Sequence, residues 1–207
     1  MPNLSTIDVA AWCRLVESAN PASLLVVIRC KMSARLQRAY APEDVLQESL
    51  LQAWRDHANA TFDSAPAFRA WLLAIVDHRI RDLADHEGAM KRGSGRAPAP
   101  MDELPEPSGS TTPSRLAIFR EHAGAMLEAL ESVPVECRDV VRLRLFHQMP
   151  LAQIAEELRL GIGAVRCRFR EGASIYRERL RAALISRSCP PASNFAAPAP
   201  GDSASEV

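Results

Sequence analysis

Apolar residues recur along this chain at the three- and four-residue intervals of α-helices, and no segment shows the alternation typical of a β-strand. Between residues 24 and 36, four apolar side chains follow one another at intervals of four: Leu24, Ile28, Met32 and Leu36. This spacing predicts one helix with a single apolar stripe. The pattern as a whole predicts an all-α protein.

Two further helices are predicted in the first half of the chain. One is predicted to begin at Pro42, because proline fits the first turn of a helix. The carboxylates of Glu43 and Asp44 would also interact favourably with the partial positive charge at the helix N-terminus. The next begins after a break at residues 59–65, where Ser64 can cap its first turn. Its predicted core face carries residues at helical spacing: Phe68, Leu72, Ile75, Arg79 and Leu83.

The second half of the chain predicts a helix-turn-helix. Residues 149–158 form a proline-led helix, residues 159–161 form a turn, and Ile162 opens a second helix. Ala155 lies where the two helices meet, and a bulky residue there would push them apart. In this layout the second helix is free to enter a DNA major groove.

Composition divides the chain into two folded pieces. Residues 93–114 hold five prolines, three glycines and four serines with hardly any apolar periodicity, which predicts a flexible linker. The Pro/Ala-rich tail at 188–207 has the same character and is expected to be disordered. The predicted architecture is therefore two small helical domains, at 5–92 and 115–187, joined by that linker.

The formal net charge of zero conceals a basic stretch in the second piece. Residues 159–187 hold eight arginines against two glutamates, a net charge of +6. Such a patch attracts a polyanion and speeds the encounter with it, but charge alone leaves an ordinary solvated helix face equally open. The helix-turn-helix favours DNA, because Arg166 and Arg170 lie near the leading end of its second helix, where they can contact guanine or phosphate.

Nothing in the sequence supports an enzyme. It has no phosphate-cradling glycine pattern, no nucleophile elbow and no H-E-x-x-H, and its histidines are scattered. No two of its five cysteines form a C-x-x-C pair, so we expect neither a zinc ribbon nor a disulfide framework, and most cysteines are predicted to be small buried residues. No apolar run, including the one at 24–28, is long enough to cross a membrane, and the N-terminus lacks the basic start of a secretory signal. We therefore expect a cytoplasmic protein without catalytic residues, cofactor, metal or membrane segment.

Two motifs in the second piece carry a family resemblance. Residues 154–158 are IAEEL and residues 163–168 are GAVRCR. They are similar to I-A-E-x-L and G-T-V-K-S-R in region 4 of bacterial sigma factors of the extracytoplasmic-function type. In that family this helix-turn-helix contacts the −35 promoter element. The resemblance implies −35 contacts from Gly163, Ala164, Arg166, Cys167, Arg168 and Arg170.

The first piece resembles region 2 of the same family. Residues 42–54, PEDVLQESLLQAW, are similar to the segment E-D-L-V-Q-E-x-F-L-x-A-W, which docks on the clamp coiled coil of core RNA polymerase. The resemblance implies polymerase contacts from one face of this helix: Asp44, Gln47, Glu48 and Leu51. Without the resemblance, an exposed acidic face is the simpler interpretation.

Residues 68–75, FRAWLLAI, look like the family's F-R-A-W-L-x-x-I, which lies beside the loop that melts the −10 element and holds an extruded base. Unstacked bases need aromatic and cationic side chains to hold them. The resemblance implies −10 contacts from Phe62, Arg69, His78 and Arg81, whereas Phe68 and Trp71 are expected to pack in the core.

Some positions depart from the family pattern. Acidic or smaller residues replace the usual ones at Asp77, Asp85, Gly161, Ala164 and Glu171. Each change removes a hydrogen-bond donor or adds repulsion near phosphate, so we expect weaker or unusual promoter contacts.

The leading hypothesis is a transcription initiation factor whose partners are core RNA polymerase and promoter DNA; members of this family are often also held by an anti-sigma factor. The second is a stand-alone helix-turn-helix regulator that binds half-sites one turn apart without polymerase. The third is a sigma-like adaptor that binds polymerase but not DNA, which the acidic substitutions keep open.

Overall fold

The structure is a computed structural model that describes four parts of the chain: residues 9–57, 60, 62–91 and 113–188. These parts contain nine helices and no strand, which confirms the all-α prediction. None of these helices is long and apolar enough to span a bilayer. The predicted linker up to residue 112 and the predicted tail from residue 189 lie outside the described residues.

The first half supplies five helices: α1 (Val9–Ser18), α2 (Pro21–Lys31), α3 (Leu36–Ala39), α4 (Pro42–Asp56) and α5 (Ala65–Lys91). The second half supplies four: α6 (Pro113–Glu131), α7 (Val135–Leu145), α8 (Leu151–Glu157) and α9 (Ile162–Ser188). The helix α6 begins two residues before the predicted start of the second domain.

Local signals place several helix starts correctly. The helix α4 begins at Pro42, with two acidic residues in its first turn. The hydroxyl oxygen of Ser64 accepts a hydrogen bond from the backbone N–H of Ala67 at 3.3 Å, which confirms the predicted cap of α5. These signals act within one helical turn, so the sequence carries them completely.

The single helix predicted over residues 24–36 is wrong. Met32 has extended backbone angles, φ −72° and ψ 128°, and ends α2, and α3 then begins at Leu36. The Ser33 hydroxyl accepts from the N–H of Leu36 at 3.3 Å, and the side-chain amide of Gln37 donates to the carbonyl of Met32 at 2.9 Å. These polar side chains satisfy backbone groups that the break leaves without helical partners.

The helix α1 has no counterpart among the sequence predictions. It buries Trp12 and Val16, which lie four residues apart on one face. The Trp12 ring packs edge-on against Trp54 of α4, with ring centroids 5.2 Å apart, and against Phe68 of α5 at 5.8 Å. The spacing of its two buried residues was the available signal for this helix.

The helix α2 lies at the centre of the molecule. The five consecutive residues from Leu24 to Ile28 are each at most 3% exposed. A helix that is apolar all round needs neighbours on every side. Here α4 and α5 pack on α2, and α6 packs on it more extensively than either. The buried core therefore continues from the helices of the first half into those of the second.

Candidate nucleic-acid interface

The helices α8 and α9 form the predicted helix-turn-helix. Arg159 adopts the left-handed backbone conformation, with φ 52°, and the N–H of Leu160 donates to the carbonyl of Ala155 at 2.9 Å. The carbonyl of Gly161 accepts from the N–H of Val165 at 3.1 Å, which starts α9 without help from a side-chain cap. The turn lies at the predicted residues.

A small apolar cluster holds α8 and the start of α9 against α7. Its buried members are Val140, Leu143, Ile154 and Val165. Ala155 packs against this cluster, as the sequence predicts for the contact between the helices. Further along α9, Tyr176 packs edge-on against Phe146, with ring centroids 6.0 Å apart, and burial raises the pKa of Tyr176 to about 12. The packed side of α9 leaves its leading end on the surface.

The predicted −35 residues lie together at that leading end. Five of them are exposed and one, Arg168, is half-buried; the exposed ones are Gly163, Ala164, Arg166, Cys167 and Arg170. Among the described residues, no carboxylate forms an ion pair with these three arginines. Unpaired guanidinium groups at the start of an exposed helix are available for bases or phosphates.

The predicted polymerase-binding face of α4 is only partly free. Asp44 is exposed, while Gln47 and Leu51 are half-buried. The Glu48 carboxylate is paired with the Arg79 guanidinium of α5, and both side chains remain a little more than one-third exposed. Sequence reasoning missed this pair because it placed Arg79 on the core face of its helix.

A groove of about 590 Å³ runs between α4 and α5. It is lined by Glu48, a predicted polymerase contact, and by His78, a predicted −10 contact. The His78 ring is exposed, and its Nδ1 lies 3.0 Å from the Asp82 carboxylate one turn further on. Residues predicted for two separate tasks therefore share one surface.

The predicted −10 residue Phe62 lies in an aromatic cluster. Its ring packs edge-on against Phe68 at 5.2 Å between centroids and lies 4.9 Å from Trp71. Phe68 is fully buried, as expected, whereas Phe62 and Trp71 are half-buried. The core thus anchors Phe62 while part of its ring remains accessible.

Arg81 and Asp77 lie further along α5. Arg81 is exposed, as a DNA contact requires. The Asp77 carboxylate, one of the departures from the family pattern, lies 2.7 Å from the Lys31 ammonium of α2. This pairing offsets the negative charge that the sequence placed near the expected DNA strand.

Arg69 does not lie on the surface. Its side chain belongs to the few buried polar groups of the described residues, with 3% exposure. Burial lowers the pKa of its guanidinium. In this arrangement Arg69 faces protein on all sides, so its predicted −10 contact requires a different arrangement of the helices.

The cysteine prediction is mostly wrong. Among the four cysteines that the structure describes, Cys137 is buried, Cys13 is half-buried, and Cys30 and Cys167 are exposed. Burial raises the pKa of the Cys137 thiol, and nearby Glu171 adds to the effect. Cys189 lies outside the described residues.

Two family models match the chain. The model of Sigma-70 region 2 matches residues 27–88, which include α4 and most of α5. The model of Sigma-70, region 4 matches residues 123–172, which include the helix-turn-helix. The matched ranges thus contain the two surfaces described above.

The chain is also similar to curated proteins. The chain is 30% identical over 105 residues to the ECF RNA polymerase sigma factor ShbA of Streptomyces griseus. This match covers 50% of this chain and 53% of ShbA. It is 28% identical over 145 residues to the ECF RNA polymerase sigma factor SigL of Mycobacterium tuberculosis, covering 70% of this chain and 77% of SigL. It is 29% identical over 141 residues to the probable RNA polymerase sigma factor RfaY of Xanthomonas campestris, covering 34% of RfaY. The match therefore spans about half of ShbA and a third of RfaY.

Proposed function

We propose that this chain, which belongs to the sigma-70 family of RNA polymerase sigma factors and to its extracytoplasmic-function type, directs promoter recognition and transcription initiation. Its partners in this role are core RNA polymerase and promoter DNA. The observation that carries the proposal is the exposed, arginine-rich start of α9, which has no ion pair among the described residues, in a chain that also exposes Asp44 on α4.

The helices α6–α9, here called the region 4 half, serve the −35 element. The helix α9 enters the major groove with its leading end, where Arg166 and Arg170 contact base edges or phosphates. Arg168 is half-buried and lies at the flank of this end, so it suits a backbone contact.

The helices α1–α5, here called the region 2 half, bind core polymerase and open the −10 element. The exposed Asp44 of α4 pairs with cations of the polymerase, while Glu48 exchanges its own-chain partner for one of them. Phe62, His78 and Arg81 supply aromatic and polar contacts to the opened strand.

The protein acts by binding and carries out no catalytic step of its own. Core RNA polymerase supplies the chemistry of transcription, and the role therefore places this chain in the cytoplasm. An anti-sigma factor is a further partner that membership of the family suggests.

Comigration with bacterial core RNA polymerase on a sizing column tests the proposal. We expect the full chain to comigrate and Asp44→Lys to abolish or strongly weaken the complex. Asp44 is the sharper target, because reversing Glu48 would also break its pair with Arg79. The matched control is Glu178→Lys, which makes the same charge change at an exposed site on α9.

A wild-type chain that folds but stays free of polymerase contradicts the proposal. If that free chain protects an operator by itself with a symmetric footprint, the stand-alone regulator replaces it. If the chain binds polymerase but no promoter DNA, the sigma-like adaptor replaces it.

A further inference from the structure

Four exposed arginines lie along one side of α9: Arg166, Arg170, Arg177 and Arg181. Successive residues of an α-helix are rotated by about 100°, so these four positions lie within about 60° of one another. They span about 22 Å along the helix axis, because each residue rises by about 1.5 Å. We call this row of side chains the arginine stripe. Its first two members are among the predicted −35 residues, whereas Arg177 and Arg181 have no role assigned to them so far.

The arginine stripe has no negative partner in the part of the chain that the structure describes. None of its guanidinium groups forms an ion pair or a hydrogen bond there. Arg187 of the same helix differs, because it reaches α6 and pairs with the Glu128 carboxylate at 2.7 Å. The fold therefore supplies a carboxylate to an arginine that links two helices and leaves the arginine stripe to solvent.

The two glutamates of α9 lie outside the arginine stripe. At about 100° per residue, Glu171 and Glu178 lie at about 140° and 120° from Arg166 around the helix axis. Arg177 and Arg181 are one turn apart, and like charges at this spacing destabilise a helix. An ordinary solvated face would gain stability from opposite charges at this spacing. The arrangement therefore favours an anion that comes from outside the chain.

The arginine stripe is continuous with the proposed −35 surface, which identifies this anion as DNA. In a helix-turn-helix, the N-terminal residues of the second helix contact base edges in the major groove. Arg177 lies about 16 Å beyond Arg166 along the axis, whereas the groove is about 12 Å wide. On the same side of α9 but beyond the base-reading end, Arg177 and Arg181 face the phosphates that border the groove.

We propose that Arg177 and Arg181 form a second DNA contact, which binds backbone phosphates beside the −35 element without reading their sequence. The proposal rests on the proposed function and deepens it. Hydrogen bonds between guanidinium and phosphate are charge-assisted, and they position a protein on the duplex without discriminating between bases. This contact adds affinity and fixes the orientation of α9 on the duplex, while the leading end of the helix reads the bases.

Binding of the full chain to a labelled 30-base-pair duplex of mixed sequence, followed by fluorescence anisotropy at several salt concentrations, tests the proposal. Each phosphate contact contributes about 0.9 to the slope of log affinity against log salt for B-form DNA. We expect the slope to fall by about 0.9 in Arg177→Gln and in Arg181→Gln, and by about 1.8 in the double variant. Glutamine favours helix, so α9 should stay intact, which circular dichroism checks.

Arg179→Gln is the matched control. Arg179 is exposed and lies between the two proposed contacts in sequence, but it is about 220° from Arg166, on the other side of α9. Its substitution removes the same charge from the same helix, and we expect the wild-type slope. A second duplex of unrelated sequence and equal length is the control for base readout. The double variant should lose affinity for both duplexes by the same factor.

Several outcomes would overturn the proposal. They are a wild type that binds neither duplex, a double variant with the wild-type slope, an equal decrease in Arg179→Gln, and a loss confined to one duplex. If the double variant keeps the wild-type slope but no longer comigrates with core polymerase, the surface serves a protein partner instead. The titrations contain no polymerase, so a wild type that fails to comigrate contradicts the proposed function without changing their result.

Discussion

A β-carbon added at Gly172 of α9 would lie 2.6 Å from Cγ2 of Val141 in α7, and 2.9 Å from Cβ of Cys137. Both distances are shorter than side chains tolerate, so glycine is required for the approach of these two helices. The proposed recognition residues of α9, from Gly163 to Arg170, lie directly before Gly172 in the same helix. Its close packing on α7 therefore helps to hold the DNA-contacting end at a defined angle.

Gly172→Ala should lower the free energy of unfolding by roughly 1–3 kcal/mol, because the extra methyl group forces α7 and α9 apart. Urea unfolding followed by circular dichroism measures the change. The control is Gly88→Ala in α5, where an added β-carbon meets nothing within 4 Å. Alanine favours helix over glycine, so the control should gain about 0.5–1 kcal/mol. Equal effects of the two substitutions would contradict the close contact.

Arg166→Ala should weaken binding of −35 promoter DNA by about 1–3 kcal/mol, the range expected when a bidentate base contact is lost. Anisotropy titrations of promoter and scrambled duplexes measure the loss. Arg177→Ala removes an exposed arginine about three turns further along α9 and should cost less and affect both duplexes alike. Equal promoter affinity of wild type and Arg166→Ala would remove the proposed base contact.

Cys167 should react with iodoacetamide in the free protein and be protected by −35 DNA, because its exposed side chain lies among the proposed DNA contacts. Cys137 should react only on unfolding, since it is buried and burial raises the pKa of its thiol, which keeps the thiolate scarce. Peptide mapping by mass spectrometry measures both. Labelling in the presence of a scrambled duplex is the control, and unchanged labelling of Cys167 on −35 DNA would place the DNA elsewhere.

His147 should make stability depend on pH. Burial lowers the pKa of His147 to about 4. The positive charges of Arg142, Lys31 and Arg69 also lower this pKa, whereas the negative charge of Asp77 raises it. The unfolded chain, with a pKa near 6.5, binds the proton more readily. The stabilisation by neutral His147 is therefore complete above about pH 6.5 and is lost as the pH falls towards 4.

Urea unfolding at pH 7.5, 6.5, 5.5 and 4.5 measures this dependence. Each unit of pH between the two pKa values changes the folding equilibrium constant by up to about tenfold through this group. His147→Gln cannot titrate, so the wild type should lose more stability than this variant as the pH falls. His122→Gln, at an exposed site on α6, should follow the wild type. Parallel curves for wild type and His147→Gln would contradict the prediction.

The helix-turn-helix could be predicted from sequence because its determinants are local. A proline before α8, a turn at residues 159–161 and an apolar spacing along α9 all act within a few residues of one another. The exposed positions of Arg166 and Cys167 follow from that spacing. The break between α2 and α3 was harder to predict from sequence. It depends on polar side chains that hydrogen-bond to backbone groups between the two helices.

Contacts between distant segments could not be predicted in this way. The family resemblance implied that Arg69 and Glu48 both contact a partner, which agrees with the usual surface position of charged side chains. The structure gives Arg69 acceptors 46 and 77 residues away in sequence and gives Glu48 a partner 31 residues away. The continuous apolar run from Leu24 to Ile28 was the available signal that α2 is covered on every side.

The burial of α2 on all sides affects any attempt to divide the protein into fragments. A fragment that ends after α5 would carry a helix with one uncovered hydrophobic side, which favours self-association and aggregation in water. Fragments prepared separately would thus lack a common interior that the intact chain completes. We therefore expect the two pieces to fold when they are co-expressed, rather than when each is purified alone.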